Sequence, residues 1–389
     1  MTTPTPPPPA AAVRRRDPTA RPPGPHADLV LRLLHRHGPL TRGELGALSG
    51  LTRTTLHDVV GALVDGGSVT ASVPKAAARG RGRPPERLAL NPGTGRAVGI
   101  EFARAAVRVA ATTAVRGGVA TASAPHSPGV PWPRRVALAR ALAAELAGDT
   151  RRWDFVTGVG IALPAPFGAS APGGRGAVDH RALAASVGRA FGCRVRLERA
   201  ARLAMLAESV WGAARGREDV LYVALSHTVG GGLMTGGTLH RGAHGLSGEF
   251  GHIVAEPGGA PCVCGRRGCL QTLASTPAVL RAAGVADVPA LLAALGGAGS
   301  AARSALGVAA VQVGRVLAGL VTALNTGTVV VGGELAAAGP ALLEPLEQEL
   351  RANAMRGAAW PPLLVCPAEL GDFAAARGAV ALLGRAGCA

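Results

Sequence analysis

One histidine and three cysteines lie close together between positions 252 and 269, where the chain reads Gly-His, nine residues, then Cys-x-Cys-Gly-x-x-Gly-Cys. Thiolate sulfurs and an imidazole nitrogen are the donors that a tetrahedral structural zinc takes. Gly265 and Gly268 let the backbone turn tightly enough for three sulfurs to reach one ion. The pattern predicts a zinc site, with buried or disulfide-linked cysteines as the alternative. The predicted ligands are His252, Cys262, Cys264 and Cys269.

The charge of the chain is strongly basic and concentrated near its start. The 389 residues carry a net charge of +17, with a single lysine, Lys75, among 41 basic residues. Such a surface attracts polyanions, nucleic acid first among them. The other cysteines are scattered singly, and we find neither a signal-peptide pattern nor an apolar run of about 20 residues. We therefore expect a cytoplasmic protein without a membrane partner.

The first part of the chain has the pattern of a small helical DNA-binding domain. Residues 1–25 are rich in Pro, Ala and Arg and are expected to form a disordered basic tail. Residues 26–73 contain three short apolar-periodic segments and then an alternating strand, which predicts a winged helix-turn-helix. In the third segment, apolar residues recur at helical spacing. They are Leu56, Val59, Val60, Leu63 and Val64.

The opposite face of the third predicted helix carries side chains that can contact DNA. Its N-terminal part would face the base edges, and an arginine there can donate two hydrogen bonds to guanine. The alternative is a small three-helix bundle with an ordinary solvated face. The predicted DNA-binding residues are Arg53, Thr54, Thr55 and His57.

Residues 74–95 form a predicted basic wing and linker that contains Arg-Gly-Arg-Gly-Arg-Pro-Pro. This run resembles an AT-hook, in which extended glycine-rich backbone enters the minor groove and arginines follow its negative potential. Arg79, Arg81 and Arg83 are the predicted groove contacts. A basic hinge without groove insertion is the alternative.

Residues 96–389 alternate between predicted strands and helices, with glycines at strand ends, which indicates α/β lobes around a cleft. The segment 245–271, with Glu249-Phe-Gly-His252 before the cysteines, resembles the signature of the ROK family of sugar kinases and sugar-responsive repressors. The resemblance extends over most of residues 26–385. It implies an α/β, two-lobed, actin-like sugar-kinase fold in which the zinc loop shapes the floor of a sugar pocket. It also implies sugar-binding roles for Glu249 and His252. Gln271 stands where the family has a glutamate; it keeps an acceptor oxygen but loses the charge, so we expect weaker recognition of hydroxyls there.

Two departures from the family pattern argue against catalysis. The family's kinases take a proton from the sugar with the aspartate of a Glu-Asn-Asp-Ala-Asn run, and the matching residue here is Ala200. The family's glycine-rich phosphate turn is matched by the glycine-free residues 101–105. We therefore predict a protein that is not an enzyme, with an ATP-dependent sugar kinase as the alternative.

Arg199 stands where the family has its first asparagine, which contacts sugar. A guanidinium there favours an anionic effector, such as a sugar phosphate or a sugar acid. Pairing of Arg199 with Glu198, or exposure to solvent, is the alternative. Trp211 is expected near the wall of the cleft.

Together these features predict a transcriptional regulator, a repressor by preference. The predicted partners are double-stranded operator DNA, a sugar or sugar-phosphate effector, and a second copy of the chain in a homodimer or tetramer. A regulator that acts through a protein partner, with a vestigial pocket, is a further alternative.

Overall fold

The computed structural model describes residues 25–65, 69–72, 86–90, 96–112, 118–147, 156–163, 179–297, 299–355, 357 and 361–384. The chain forms two compact units, Met1–Thr94 and Gly95–Ala389.

Within its described residues, the first unit combines three helices with a small antiparallel sheet. The helices are α1 (Pro25–His37), α2 (Arg42–Ser49) and α3 (Arg53–Asp65). The strands β1 (Leu40–Thr41), β2 (Val69–Ser72) and β3 (Arg87–Leu90) pair in the order β1-β3-β2. Apolar side chains from all three helices and from β3 fill the core; they include Val30, Leu45, Leu56, Val60 and Leu88.

Local hydrogen bonds fix the two helices that follow β1. Thr41 caps α2: its side chain accepts from the backbone N–H of Glu44, while the Glu44 carboxylate accepts from the N–H of Thr41 at 2.7 Å. The Thr52 hydroxyl accepts from the N–H of Thr55 at 3.3 Å and so caps the start of α3. These caps satisfy backbone donors that each helix start leaves free.

Strand β3 lies inside the stretch 74–95, for which the sequence predicts a basic wing and linker. Leu88 of this strand is fully buried, and the strand pairs with both β1 and β2. The predicted groove contacts Arg79, Arg81 and Arg83 lie outside the described residues.

The part of the second unit that the structure describes forms two five-stranded sheets. In the first, β4 (Arg96–Phe102), β5 (Ala106–Thr112), β6 (Val119–Pro125), β7 (Val156–Leu163) and β8 (Val195–Arg199) take the order β6-β5-β4-β7-β8. Strands β4, β7 and β8 run parallel, so their carboxyl ends meet at one edge. Two further helices belong to this lobe, α4 (Trp132–Ala147) and α5 (His180–Phe191).

The second sheet has the order β11-β10-β9-β12-β13. Its strands are β9 (Val220–Leu225), β10 (Val229–Thr235), β11 (Thr238–His240), β12 (Thr328–Gly332) and β13 (Leu364–Pro367). The remaining helices are α6 (Ala200–Trp211), α7 (Gln271–Ala274), α8 (Thr276–Ala283), α9 (Val288–Ala293), α10 (Ala301–Leu324), α11 (Pro340–Asn353) and α12 (Ala374–Gly384).

Helix α12 returns to the first lobe and packs directly on its sheet. A Cβ on Gly99 of β4 would collide with the carbonyl oxygen of Ala376, and one on Gly160 of β7 with that of Ala379. These two glycines are neighbours in the parallel β4–β7 pairing. The missing side chains let the helix backbone approach the sheet closely.

Helix α10 is long and apolar enough by length and composition to cross a membrane. Its buried residues, including Leu306, Val313 and Leu317, belong to the largest hydrophobic core of the second lobe, together with Leu346 and Leu350 of α11. The apolar composition of α10 is therefore explained by its place in the hydrophobic core.

Candidate metal centre and neighbouring polar cluster

The four predicted metal ligands come together in one place. One ligand atom from each of His252, Cys262, Cys264 and Cys269 lies within 4.8 Å of all the others, and we call this set the Cys3His cluster. The Cys262 sulfur lies 3.5 Å from the His252 Nδ1 atom, and the sulfurs of Cys264 and Cys269 are 3.6 Å apart. His252, Cys262 and Cys269 are buried.

These separations fit a tetrahedral zinc ion. Bonds of about 2.3 Å to sulfur and about 2.1 Å to nitrogen place two sulfurs about 3.8 Å apart, and a sulfur and a nitrogen about 3.6 Å apart. The turn that gathers the sulfurs depends on Gly268, whose φ is +71° and whose added Cβ would collide with the Glu256 carbonyl oxygen. The donor set and its spacing therefore suit a structural metal ion, as the sequence predicts.

The electrostatic surroundings favour the metal-binding forms of two donors. Burial, followed by the charges of Arg266 and Arg199, lowers the pKa of His252, so the imidazole is neutral. Burial raises the pKa of Cys264, but the Arg266 backbone N–H and the neighbouring thiols outweigh it and leave this pKa at about 7. A thiolate is therefore available at neutral pH.

Glu249 connects the Cys3His cluster to the first lobe. It precedes the 3-10 turn Phe250–His252, and its Oε2 atom lies 3.8 Å from the Nε2 atom of His252, the ring nitrogen turned away from Cys262. Its Oε1 atom forms an ion pair with the Nη1 atom of Arg199, which lies at the end of β8. Among the described residues, Glu249 Oε2 is buried without a hydrogen-bond partner.

The guanidinium of Arg199 forms its ion pair with Glu249, whereas the sequence offered pairing with Glu198 or exposure to solvent as the alternative to ligand binding. The Arg199 backbone N–H donates to Glu198 Oε1 at 2.9 Å, but its guanidinium turns to Glu249. The two side chains are 16% and 13% exposed, so the pair is shielded from water. Burial, followed by the charge of Arg202, lowers the pKa of Arg199.

Glu198 is the centre of a second set of ion pairs. Its Oε1 atom accepts from Arg202 Nε at 2.9 Å and Nη2 at 2.5 Å, and its Oε2 atom accepts from Arg241 Nε at 2.8 Å. Arg202 also donates to the carbonyl oxygens of Gly245 and Ser247. We call Glu198, Arg199, Arg202, Arg241 and Glu249 the arginine–glutamate cluster. It fastens the start of α6 to the loop that precedes Glu249.

Ala200 begins α6 directly beside this cluster, where a phosphotransferase of the resembled type would need a proton acceptor. The carboxylates of Glu198 and Glu249 are both engaged by arginines. Glu101, at the end of β4, shares a row of the sheet with Glu198 through Ala162. Burial raises the pKa of Glu101 to about 7 against the opposing charge of Arg108.

The glycine-free turn after β4 contacts the turn between β9 and β10. Arg104 Nη1 lies 2.6 Å from His227 Nε2. Burial, followed by the charge of Arg104, lowers the pKa of His227, so a neutral ring accepts this hydrogen bond. The turn matched to the family's phosphate turn thus carries a guanidinium bound to the opposite turn.

Other predicted site residues are distributed as follows. Gln271 begins α7 two positions after Cys269, and no side-chain hydrogen bond among the described residues joins it to Glu249. Arg53, Thr54 and His57 are exposed on α3, whereas Thr55 is half-buried, with its hydroxyl 2.9 Å from that of Thr52.

The expectation for Trp211 is wrong. This residue ends α6, at the opposite end from Arg199, and packs against Ala110, Ala376 and Val380. The 12-residue helix places its two ends about 18 Å apart.

Sequence reasoning missed Arg202 and Arg241 as members of the polar cluster. The spacing of Glu198 and Arg202 offered a signal, since residues four apart meet on one side of a helix. No comparable signal links Arg241 to Glu198, because a pairing between residues 43 apart depends on the tertiary fold.

Two α/β lobes, each built on a five-stranded sheet, define this unit as a protein of the sugar-kinase-like class. A family model described as ROK family matches residues 131–386, and the chain belongs to this family. A second model, described as DNA glycosylase AlkZ-like, matches residues 2–98. That description is not a winged helix-turn-helix, so the winged helix-turn-helix stays a prediction.

The similar proteins include both kinases and repressors. The kanosamine kinase of Amycolatopsis mediterranei strain S699 is 40% identical over 187 residues, which are 47% of this chain and 60% of that protein. The DNA-binding transcriptional repressor Mlc of Escherichia coli strain K12 is 34% identical over 166 residues, which are 39% of this chain and 40% of that protein. The chain thus matches less than two thirds of the length of either relative.

A solved ROK family transcriptional regulator, a homolog of the Escherichia coli MLC protein, has a TM-score of 0.64 with this chain. The match covers 92% of this chain and 95% of that one at 22% identity, which shows the shared fold.

Proposed function

We propose that this protein is a cytoplasmic, DNA-binding transcriptional regulator, acting as a repressor, whose ROK domain senses a sugar derivative without phosphorylating it. A zinc ion held by the Cys3His cluster fixes the loop that carries Glu249. A homodimer presents two DNA-binding units to a pseudo-palindromic operator. Sugar binding and DNA binding are then coupled reciprocally.

The observation that carries the non-catalytic part of this proposal is Ala200 at the start of α6, together with the pairing of Glu198 and Glu249 with arginines. A methyl group cannot accept the proton of a sugar hydroxyl. Both oxygens of Glu198 are paired with Arg202 and Arg241, and the Oε1 atom of Glu249 is paired with Arg199, so guanidiniums already compete for both carboxylates.

The architecture of the first unit supports DNA binding. A short connection joins α2 to α3, and the antiparallel β2–β3 pair follows, which is the order of elements in a winged helix-turn-helix. Leu56, Val60 and Leu63 of α3 face the core, while Arg53 and His57 are exposed on its other side. This division leaves the polar face of α3 free for the major groove.

The similarities to named proteins add support. The repressor Mlc is described as DNA-binding, and its similarity to this chain makes the same activity a reasonable proposal here. Residues 2–98 match a family model described as DNA glycosylase AlkZ-like, and this description also supports DNA as a ligand of the first unit.

Footprinting and mobility-shift assays on promoter fragments test the DNA-binding proposal. Arg53→Ala should weaken specific binding about tenfold or more, because a bidentate arginine–guanine contact contributes about 1–3 kcal/mol. Arg140→Ala, an exposed arginine on α4, is the matched control and should bind like the wild type. Binding that is equally strong in both variants would remove Arg53 from the interface, and no footprint on any fragment would refute the regulator.

A sugar kinase is the second candidate, favoured by the similarity to kanosamine kinase and by Glu101 with its pKa of about 7. The test is steady-state ATP turnover with a panel of hexoses and amino sugars. We expect no turnover above background. Sugar-dependent turnover that disappears in Glu101→Gln would establish the kinase and overturn the non-catalytic proposal.

A further inference from the structure

We propose that Arg199 determines the class of effector: the site selects a sugar that carries an acid group, a carboxylate or a phosphate, over a neutral sugar. This inference rests on the proposed sugar-sensing function and specifies its ligand.

The first observation is that the guanidinium of Arg199 forms an ion pair with the carboxylate of Glu249. A carboxylate that recognises sugar hydroxyls must offer its oxygens as free acceptors. Here the Oε1 atom of Glu249 is held by the Arg199 guanidinium in a pair of which each side chain is at least 84% buried. The Oε2 atom of Glu249 has no hydrogen-bond partner among the described residues, so a neutral sugar that uses both carboxylate oxygens would have to separate this pair. Separation would leave a shielded guanidinium without a counter-charge.

The second observation is the surplus of positive charge in the arginine–glutamate cluster. Three guanidiniums, those of Arg199, Arg202 and Arg241, face two carboxylates. Glu198 forms ion pairs with Arg202 and Arg241, whereas the guanidinium of Arg199 forms its ion pair with Glu249. The thiolates of the Cys3His cluster lie beyond the imidazole ring, at the nitrogen opposite the one that faces Glu249.

An acid group on the effector would both free Glu249 from Arg199 and balance the surplus positive charge. It replaces Glu249 as the partner of Arg199, and a guanidinium is well suited to bidentate pairing with a carboxylate or a phosphate. Glu249 is then released to accept hydrogen bonds from the hydroxyls of the same sugar. Its Oε2 atom, buried without a hydrogen-bond partner among the described residues, supplies an acceptor that such a hydroxyl can satisfy.

Isothermal titration calorimetry on the full chain tests the inference with glucose, glucuronate and glucose 6-phosphate. The wild type should bind at least one of the two acids at least tenfold more tightly than glucose, and the preferred acid distinguishes carboxylate from phosphate. Arg199→Asn should lose this preference and bind glucose more tightly than the wild type does. Arg199→Lys keeps the charge and should keep a preference for acids, and Arg215→Asn, an exposed arginine after α6, should behave like the wild type.

Several outcomes would overturn the inference. If the wild type binds glucose as tightly as both acids, or more tightly, the inference is wrong. This comparison needs no variant, so it remains decisive if Arg199→Asn fails to fold. An unchanged ratio of acid to neutral affinity in folded Arg199→Asn also overturns it. If none of the sugars binds any variant, the inference and the sensing function fail, while footprinting reports separately on DNA binding.

Discussion

Replacing Arg202 by methionine should destabilise the second unit strongly. Arg202 is 4% exposed and donates to both Glu198 and the loop carbonyls of Gly245 and Ser247. Without it, a buried carboxylate loses its main partner and two carbonyl oxygens lose their donor. Breaking a buried ion pair by removing one partner costs about 3–5 kcal/mol.

The matched control is Arg241→Met, which removes the other guanidinium from the same carboxylate. The Arg241 side chain is 52% exposed, so water can replace it and the cost should be about 0–1 kcal/mol. Urea unfolding followed by circular dichroism measures both variants, and thermal unfolding should show a loss of about 6–15 °C for Arg202→Met alone. An equal loss of unfolding free energy in the two variants would refute the conclusion that Arg202 is the main buried partner of Glu198.

The pH dependence of this cluster has a definite sign. Burial acts to raise the pKa of Glu198, but the Arg199 backbone N–H and the guanidiniums of Arg241 and Arg202 outweigh it, so the pKa is lowered below its usual 4.5. A carboxyl with a lowered folded-state pKa stabilises the fold above its unfolded-state pKa. This stabilisation is lost as the pH falls through the folded-state value. The difference in stability between wild type and Arg202→Met should therefore shrink below pH 4.5.

Three further predictions concern other parts of the second unit. Metal analysis should find one zinc per chain in the wild type and in Cys193→Ser but less in Cys264→Ser, and equal contents in all three would refute the metal site. Burial raises the pKa of Glu101 from 4.5 to about 7, so the wild type should lose up to about 3 kcal/mol of unfolding free energy as the pH rises from 4.5 to 7. Glu101→Gln lacks this titration and should be the more stable protein at pH 8. Parallel pH profiles of the unfolding free energy would contradict this. On α10, Gly307→Ala has open space and should stabilise by about 0.5–1 kcal/mol, whereas Gly314→Ala meets the Leu346 carbonyl oxygen and should destabilise; urea unfolding distinguishes the two signs.

Periodicity predicted the elements whose apolar pattern is strong. The stripe on α3 and the buried strand that the apolar run 329–331 predicts, now β12, are both found. Each has an apolar face or run that contrasts with its flanks. The apolar run 311–324 predicts a helix, and the structure extends it ten residues towards the N-terminus. Helix α10 begins at Ala301, where Ser300 caps it by accepting from the Arg303 N–H. Helix α11 contains Pro345, a residue that usually interrupts a helix, so its sequence does not predict an unbroken helix.

The metal cluster could be predicted because its ligands are close in sequence and chemically distinctive, and the structure gathers all four. The pairing of Arg199 with Glu249 could not, since fifty positions separate the two residues and only the fold brings β8 to the loop before the 3-10 turn. Strand β3 was missed because its residues follow an arginine- and proline-rich run that has the composition of a linker.

The close seating of α12 on Gly99 and Gly160 has a consequence for biosynthesis. The first lobe begins at β4, yet the helix that covers part of its sheet is encoded almost three hundred residues later. During synthesis on the ribosome, the face of the sheet that α12 covers stays exposed until α12 has been made. Contacts between segments so far apart in sequence form slowly during folding. Nascent chains stalled before residue 374 should therefore hold a protease-sensitive first lobe, and chaperones that shield apolar surface should associate with them.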